Sequence, residues 1–308
     1  MKLIFLGTPD FAVEALKSIY NSSNEILAVI TQPDKPVGRK AVITPCAVKV
    51  CAQELSLKTL SYDKISVQGV EDIKALNPDI MVTCAYGQIL SKEILEIPKY
   101  GVINIHASLL PKYRGASPIQ WSILNGDSKT GVTIMKTELG VDTGDIISQV
   151  ETPILENETA GELFDRLSKI GAELIVKVLE DYDNNLVTFT KQDDTKAIKV
   201  GLIKKEDGKI DFNRSSEDIK NQVRAFNPWP IAFTKYEGKT LKIYSCDVVD
   251  YKGLAGETLF ADRENGLVIA TKDKAISVKE LQLEGGKKMS VYDFLLGRKI
   301  PLGYKFGE

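Results

Sequence analysis

The stretch "KLIFLGTPDFAVEALKSIYNSSNEILAVIT", Lys2 to Thr31, decides the fold class. Its first six residues form a continuous apolar run stopped by Gly7, the pattern of a strand buried on both faces. In "TPDFAVEALKSIY", Thr8 is placed to cap a helix and Pro9 suits the first helical position. Phe11, Ala15, Leu16 and Ile19 then recur on one helical face. "ILAVIT", Ile26 to Thr31, is a second buried strand. Strand, helix and strand in this order predict a βαβ unit and a parallel α/β sheet.

The pattern continues outward from that unit. "QPDKPVGRKAVITP", Gln32 to Pro45, is rich in Pro and Gly and carries Lys35, Arg39 and Lys40, which predicts a long loop. "CAVKVCAQEL" reads as a helix, and "IMVTCAYG" (Ile80 to Gly87) and "GVINIHA" (Gly101 to Ala107) as further buried strands. "SPIQWSILNG" is a helix ending at Gly126. "TGVTIMKTE" and "GDIISQVETPI" alternate as antiparallel or edge strands do. A long amphipathic helix spans Thr159 to Tyr182, with Leu163, Leu167, Ile170, Leu174 and Leu179 along one side. The texture then changes. Residues 1–189 read as one domain and the charged, weakly periodic 190–207 as a linker. Residues 208–308 read as a second domain of short β-like runs separated by Gly- and Asp-containing turns, a small barrel or sandwich. "SSEDIKNQVRAF" opens it as a helix with a Ser cap.

Composition narrows the function classes. The chain has 308 residues, 43% hydrophobic, and a net charge of −2. That balance gives no global basic signature, so any nucleic acid must be met by local patches. No apolar run approaches the roughly 20 residues that span a bilayer, and "MKLIFLGTPDF" reads as a first strand rather than a signal peptide. The four cysteines are scattered without CxxC spacing, and there is one histidine, so neither a zinc set nor a disulfide framework is expected. "GTPDFA" lacks the glycines of a dinucleotide fingerprint, and P-loop and G-x-S-x-G motifs are absent. A nicotinamide or flavin cofactor is therefore not expected.

The one histidine, His106, lies two residues after Asn104 near the end of a predicted strand, where α/β sheets carry their sites. Alternation puts both side chains on one face. A satisfied core histidine is the plain alternative. An apolar, turn-rich "SLLPKYRG" follows and reads as exposed. Asp142 sits in "ELGVDTGDI", bracketed by Gly140 and Gly144, where a turn residue would be the ordinary reading. A neutral imidazole beside a carboxylate can move a proton near neutral pH, and an Asn amide can donate to an oxygen gaining charge. No comparably placed Ser, Cys or Lys nucleophile accompanies them, which favours direct transfer between two bound substrates.

"NIHASLLPKYRGASPIQWSILNG" and "TGVTIMKTELGVDTGDI" resemble the signature of formyltransferases that use 10-formyltetrahydrofolate. "FLGTPDFA", "TQPDKPVGR", "AYGQIL", "KEDGKIDF", "RAFNPWP" and "GGKKMS" extend the resemblance nearly end to end, toward the branch acting on methionyl-tRNA. The resemblance implies a Rossmann-like, mostly parallel α/β domain followed by an OB-like β-barrel that binds tRNA. It assigns catalysis to Asn104, His106 and Asp142, with Asp142 orienting His106. It assigns folate contacts to Ser108, Leu109, Leu110 and Pro111, with Ile89 and Leu90 at the pterin pocket. Ala107 departs from the family, which often has Gly there. The resemblance further implies that the loop bearing Lys35, Arg39 and Lys40 reaches the acceptor stem of initiator Met-tRNA, with Lys287 and Lys288 as further RNA contacts. It implies a cytoplasmic monomer with 10-formyltetrahydrofolate as co-substrate and no metal. Glycinamide ribonucleotide, nucleotide-linked amino sugars and water stay open as acceptors from the motif alone, whereas the intact Asn104, His106 and Asp142 argue against a tRNA- or nucleotide-binding protein with an inactive fold.

Overall fold

The computed structural model describes residues 1–38 and 40–307; Arg39, one of the expected RNA contacts, lies outside the described residues. The chain divides into two units. One comprises Met1–Pro118, Lys129–Pro153 and Phe164–Val200, the other Ile119–Ser128, Ile154–Leu163 and Gly201–Glu308.

In the first unit β1 (Lys2–Gly7) and β2 (Glu25–Thr31) pair in parallel, and α1 (Val13–Tyr20) buries Ala15, Leu16 and Ile19. Thr8 does not cap this helix. A 3-10 turn, Asp10–Ala12, intervenes, and the Thr8 hydroxyl donates to the Tyr86 carbonyl at 2.9 Å. The predicted loop contains a small hairpin, β3 (Lys35–Val37) and β4 (Val42–Thr44). Three residues a side are too few for alternation to register in sequence. Next come α2 (Ala47–Glu54), β5 (Thr59–Ser61), α3 (Ile65–Gln68), α4 (Val70–Leu76), β6 (Ile80–Cys84), α5 (Lys92–Leu95) and β7 (Val102–His106). β6 stops at Cys84, short of the expected Gly87, because the backbone turns left-handed at Ala85 (φ 48°).

The chain continues through β8 (Arg114–Gly115), α6 (Pro118–Leu124), β9 (Lys129–Lys136), β10 (Ile146–Pro153) and α7 (Ala160–Asp183). The seven-stranded sheet runs β10-β9-β7-β6-β1-β2-β5, parallel from β7 to β5 and antiparallel at β9 and β10. Both strands expected to be antiparallel or edge strands are antiparallel; β9 lies between β7 and β10 with Thr130 to Met135 buried, and β10 is at the edge. Leu3, Ile4, Phe5 and Leu6 of β1 expose no surface, which is why their run shows no alternation. α7 packs close to β7: a Cβ on Gly171 would stand 2.9 Å from the Ile105 side chain. Ile105 faces away from Asn104 and His106, so the helix braces the strand from behind the site.

Residues 190–200, expected to be linker, fold within the first unit. β11 (Lys199–Val200) pairs in parallel with β8. The second unit is an antiparallel β domain. α8 (Ser216–Ala225) starts at Ser215, whose side chain accepts from Asp218 N, and packs on the sheet. β12 (Ala232–Tyr236), β13 (Lys239–Val249), β14 (Thr258–Asp262), β15 (Gly266–Ala270) and β16 (Ala275–Leu283) run in the order β12-β13-β16-β15-β14. β17 (Met289–Ser290) pairs with β16 and leads into α9 (Val291–Gly297). Leu241, Ile243, Leu267, Ile269, Ile276 and Val278 centre its core, with Ile219 and Val223 of α8 against them. In "NPWP", Asn227 to Pro230, Trp229 is 54% exposed, and Asn227 supplies an anchor, its Nδ2 donating to the Tyr244 carbonyl. No helix among the described residues is long and apolar enough to cross a membrane.

Candidate functional site

β7 delivers Asn104 and His106 to the C-terminal end of the parallel strands, on one face. Asn104 stands opposite Thr83 in the β6–β7 register, and the Thr83 hydroxyl donates to Asn104 Oδ1 at 2.8 Å. With its oxygen engaged, the amide turns its NH2 the other way, free to donate. His106 is buried, and its Nε2 lies 2.9 Å from the Tyr113 carbonyl. A carbonyl only accepts, so Nε2 carries the hydrogen. That leaves Nδ1 as the nitrogen facing Asp142, whose Oδ2 is 3.7 Å away.

This distance is too long for a hydrogen bond. The contact that holds the His106 ring is therefore made by a backbone carbonyl, and the Asp142 carboxylate faces the ring across a gap. Asp142 is itself oriented by Gly115, whose backbone N–H donates to Oδ2 at 2.8 Å. Asp142 sits at φ 51° in the β9–β10 connection, and Tyr113 (φ 61°) and Ser117 (φ 61°) are also left-handed. Non-glycine residues in this region are uncommon and gather where a fold constrains a site.

The expected folate turn is mostly interior rather than exposed. Ser108 and Leu110 are buried, while Leu109 and Pro111 are half-buried, with a cis bond between Leu110 and Pro111. Thr133 of β9 stitches the turn to the sheet: its hydroxyl donates to the Ser108 carbonyl at 2.6 Å and accepts from Leu110 N at 3.1 Å. Gln149 of β10 adds Nε2 to the Leu110 carbonyl at 3.0 Å. The Ser108 hydroxyl donates to the Lys112 carbonyl at 2.6 Å. Leu90 lies in the core with Ile4, Leu6 and Tyr86, whereas Ile89 is 79% exposed.

Cys84, next to Thr83, is a buried thiol whose pKa burial pushes well above the ordinary value, so it stays protonated and is a poor nucleophile. Among the described residues no three His, Cys, Asp or Glu side chains converge as metal ligands. Lys35 and Lys40 are exposed in and beside the hairpin. In the second unit Lys287 borders an open cavity of about 360 Å³ with Arg298, while Lys288 is held by Glu280 at 2.8 Å and lies over the Tyr244 ring.

Sequence reasoning named Asn104, His106 and Asp142, of which His106 and Asp142 face each other, and missed the residues that hold them. Thr83, Thr133 and Gln149 read as ordinary strand residues, and the contributions of Tyr113 and Gly115 are backbone atoms, which leave no mark in a sequence.

Comparison with known proteins adds the family. Residues 1–179 match the model of the formyl transferase family, and residues 202–299 that of the formyl transferase C-terminal domain. The chain is 45% identical to the methionyl-tRNA formyltransferase of Halothermothrix orenii, covering 100% of both sequences. It is 42% identical to that of Geobacter metallireducens, over 100% of this chain and 99% of the relative. Among solved structures it is similar to an N-formyltransferase from Helicobacter canadensis in complex with folinic acid and dTDP-3-aminofucose. That match has TM-score 0.68 and 25% identity, over 90% of this chain and 99% of that one. The methionyl-tRNA formyltransferase structure from Clostridium thermocellum shares the fold, with TM-score 0.56 and 20% identity over 80% of this chain and 93% of that one. With both domains matched and curated relatives above 40% identity end to end, the chain belongs to the formyl transferase family, in its methionyl-tRNA formyltransferase branch.

Proposed function

We propose that this chain transfers the formyl group of 10-formyltetrahydrofolate to the free α-amino group of methionine on initiator tRNA, giving N-formylmethionyl-tRNA for translation initiation. The observation that carries the reaction class is the pairing at the end of β7. There the Asn104 amide has its oxygen occupied and its NH2 free, beside a buried imidazole whose Nδ1 faces the Asp142 carboxylate. Identity over the whole chain to methionyl-tRNA formyltransferases supports the acceptor.

In the proposed reaction the amine nitrogen forms a bond to the formyl carbon, the bond from that carbon to N10 of the folate breaks, and one amine proton ends on N10. Asn104 Nδ2 donates to the oxyanion that develops on the formyl oxygen. His106 Nδ1, in its protonated form, donates to the same oxygen, while Nε2–H stays on the Tyr113 carbonyl. Asp142 stabilises the charged ring from 3.7 Å and accepts the amine proton directly or through water on its way to N10. Holding two substrates against one buried wall supplies much of the acceleration. The buried turn Ser108–Pro111 and the Ile89–Leu90 segment are the proposed folate contacts. Lys35, Arg39, Lys40, Lys287 and Lys288 are the proposed phosphate contacts for the tRNA. The chain is read as a cytoplasmic monomer, its compartment following from the proposed role in translation initiation.

The test is formyl transfer from 10-formyltetrahydrofolate to Met-tRNA, run beside uncharged tRNA, glycinamide ribonucleotide and an amino-sugar nucleotide. Formylation of Met-tRNA is expected, with turnover falling about 10²- to 10⁴-fold in His106→Ala. Formylation of a small acceptor with none on Met-tRNA, or a fully active His106→Ala, overturns the proposal.

A further inference from the structure

Gln192 lies in the stretch that composition presents as linker, yet it is only 6% exposed. Its Nε2 donates to the carbonyl of Asp142 at 3.0 Å and to that of Gly144 at 2.7 Å. Its Oε1 accepts from Arg114 Nε at 3.0 Å. Both N–H groups and the carbonyl of the carboxamide are thereby used. Arg114 is itself 4% exposed, and its Nη2 donates to Asp194 Oδ1 at 2.8 Å. The residue after Arg114 is Gly115, whose N–H holds the Asp142 carboxylate at 2.8 Å. Asp142 is thus gripped twice: by its main-chain carbonyl through Gln192, and by its carboxylate through the neighbour of the arginine that fixes Gln192.

The turn needs such a grip. Asp142 occupies the left-handed region, which an Asp adopts at a cost. Gly144 gives no side-chain anchor, since a Cβ there would stand 1.9 Å from the Lys136 carbonyl. A Cβ on Gly115 would stand 2.3 Å from the Val200 carbonyl, so β11 of the same stretch also packs directly on the strand that presents the Gly115 N–H.

We propose that Gln192 is a positioning residue for formyl transfer. Acting through the backbone of the 142–144 turn, it sets the distance between the Asp142 carboxylate and His106 Nδ1, and the segment from Gln192 to Val200 is part of the catalytic apparatus. This rests on the reading that Asp142 takes part in the reaction.

The test compares the full chain with Gln192→Met, Gln192→Glu, Asp194→Asn and Asp142→Asn, measuring kcat, KM for each substrate, the pH profile of kcat, and Tm. Gln192→Met keeps the volume without the donors, and Gln192→Glu sets a carboxylate against two carbonyls. Both are expected to lower kcat by about 10- to 100-fold with both KM values within about threefold of the parent, and to displace the pH profile. Asp194→Asn, a surface change that leaves folding intact, is expected to lower kcat by about two- to fivefold in the same direction. Variants that lose Tm while keeping the parental kcat and pH profile show a merely structural residue and overturn the proposal. Parental turnover in Asp142→Asn instead overturns the reading beneath it, whatever the Gln192 variants do.

Discussion

Thr83 and Asn104 face each other on neighbouring parallel strands, and one hydroxyl decides which end of the Asn104 amide meets the substrate. Turned end for end, the amide would present its oxygen to a developing negative charge. A neutral hydrogen bond contributes about 1 kcal/mol, roughly a fivefold bias between the two orientations. Thr83→Val is therefore expected to lower kcat about three- to tenfold at near-constant KM, with Thr83→Ser restoring it. An unchanged kcat in the valine variant would mean that another contact fixes the amide. Asn104 and His106 were legible because a lone imidazole at a strand end is unusual. Asp142 was legible through its flanking glycines and the family resemblance. Thr83 was not, because a threonine in a buried strand is unremarkable until its partner is known. Gln192 was harder still, since its charged surroundings read as solvated and its partners are main-chain carbonyls.

The longest helix, α7, owes its start to a reciprocal cap. Thr159 N and its hydroxyl both donate to Glu162 Oε2, at 2.9 and 2.8 Å, while Glu162 N donates back to the Thr159 hydroxyl at 3.3 Å. The same backbone donor, first among its causes, holds the Glu162 carboxyl below its ordinary pKa. Thr159→Ala is expected to cost about 1 kcal/mol in urea unfolding at pH 7, with formyl transfer by the folded fraction unchanged. A cost near zero would show that packing of the helix alone sets its start. Elements of this kind were legible because caps, apolar stripes and long buried runs are local signals. β12 and β13 lie in one continuous β-like run of the sequence, and the turn at Glu237 and Gly238 that divides them, at φ 49° and 74°, was not legible within it. β3, β4, β8, β11 and β17 were not legible. They are two or three residues long, and the β8–β11 pair joins segments some 85 residues apart by backbone bonds alone.

At the scale of the molecule, charge distinguishes the two units under acid. Among the described residues, Glu162, Asp211, Asp262, Asp273 and Glu284 of the second unit have carboxyls held below their ordinary pKa, each chiefly by a backbone N–H; Asp193 is the counterpart in the first, held chiefly by the Thr195 hydroxyl. The sign follows directly. A folded pKa below the unfolded one means that unfolding takes up protons. The contribution is full above about pH 4.5 and is lost as pH falls through the folded values. The second unit should therefore weaken first. Both tryptophans, Trp121 and Trp229, lie in it, so their fluorescence reports on that unit alone. The urea midpoint by fluorescence is expected to fall between pH 6 and pH 3.5, ahead of the far-UV signal of the whole chain. Asp273 tests the cause: its Oδ1 accepts from Ser216 N at 2.8 Å and Lys274 N at 2.9 Å, tying the start of α8 to the β15–β16 turn. Asp273→Asn keeps an acceptor that does not titrate. Its midpoint should lie below the parent's at pH 6 and the gap should narrow by pH 3.5, whereas parallel curves would place the acid sensitivity elsewhere.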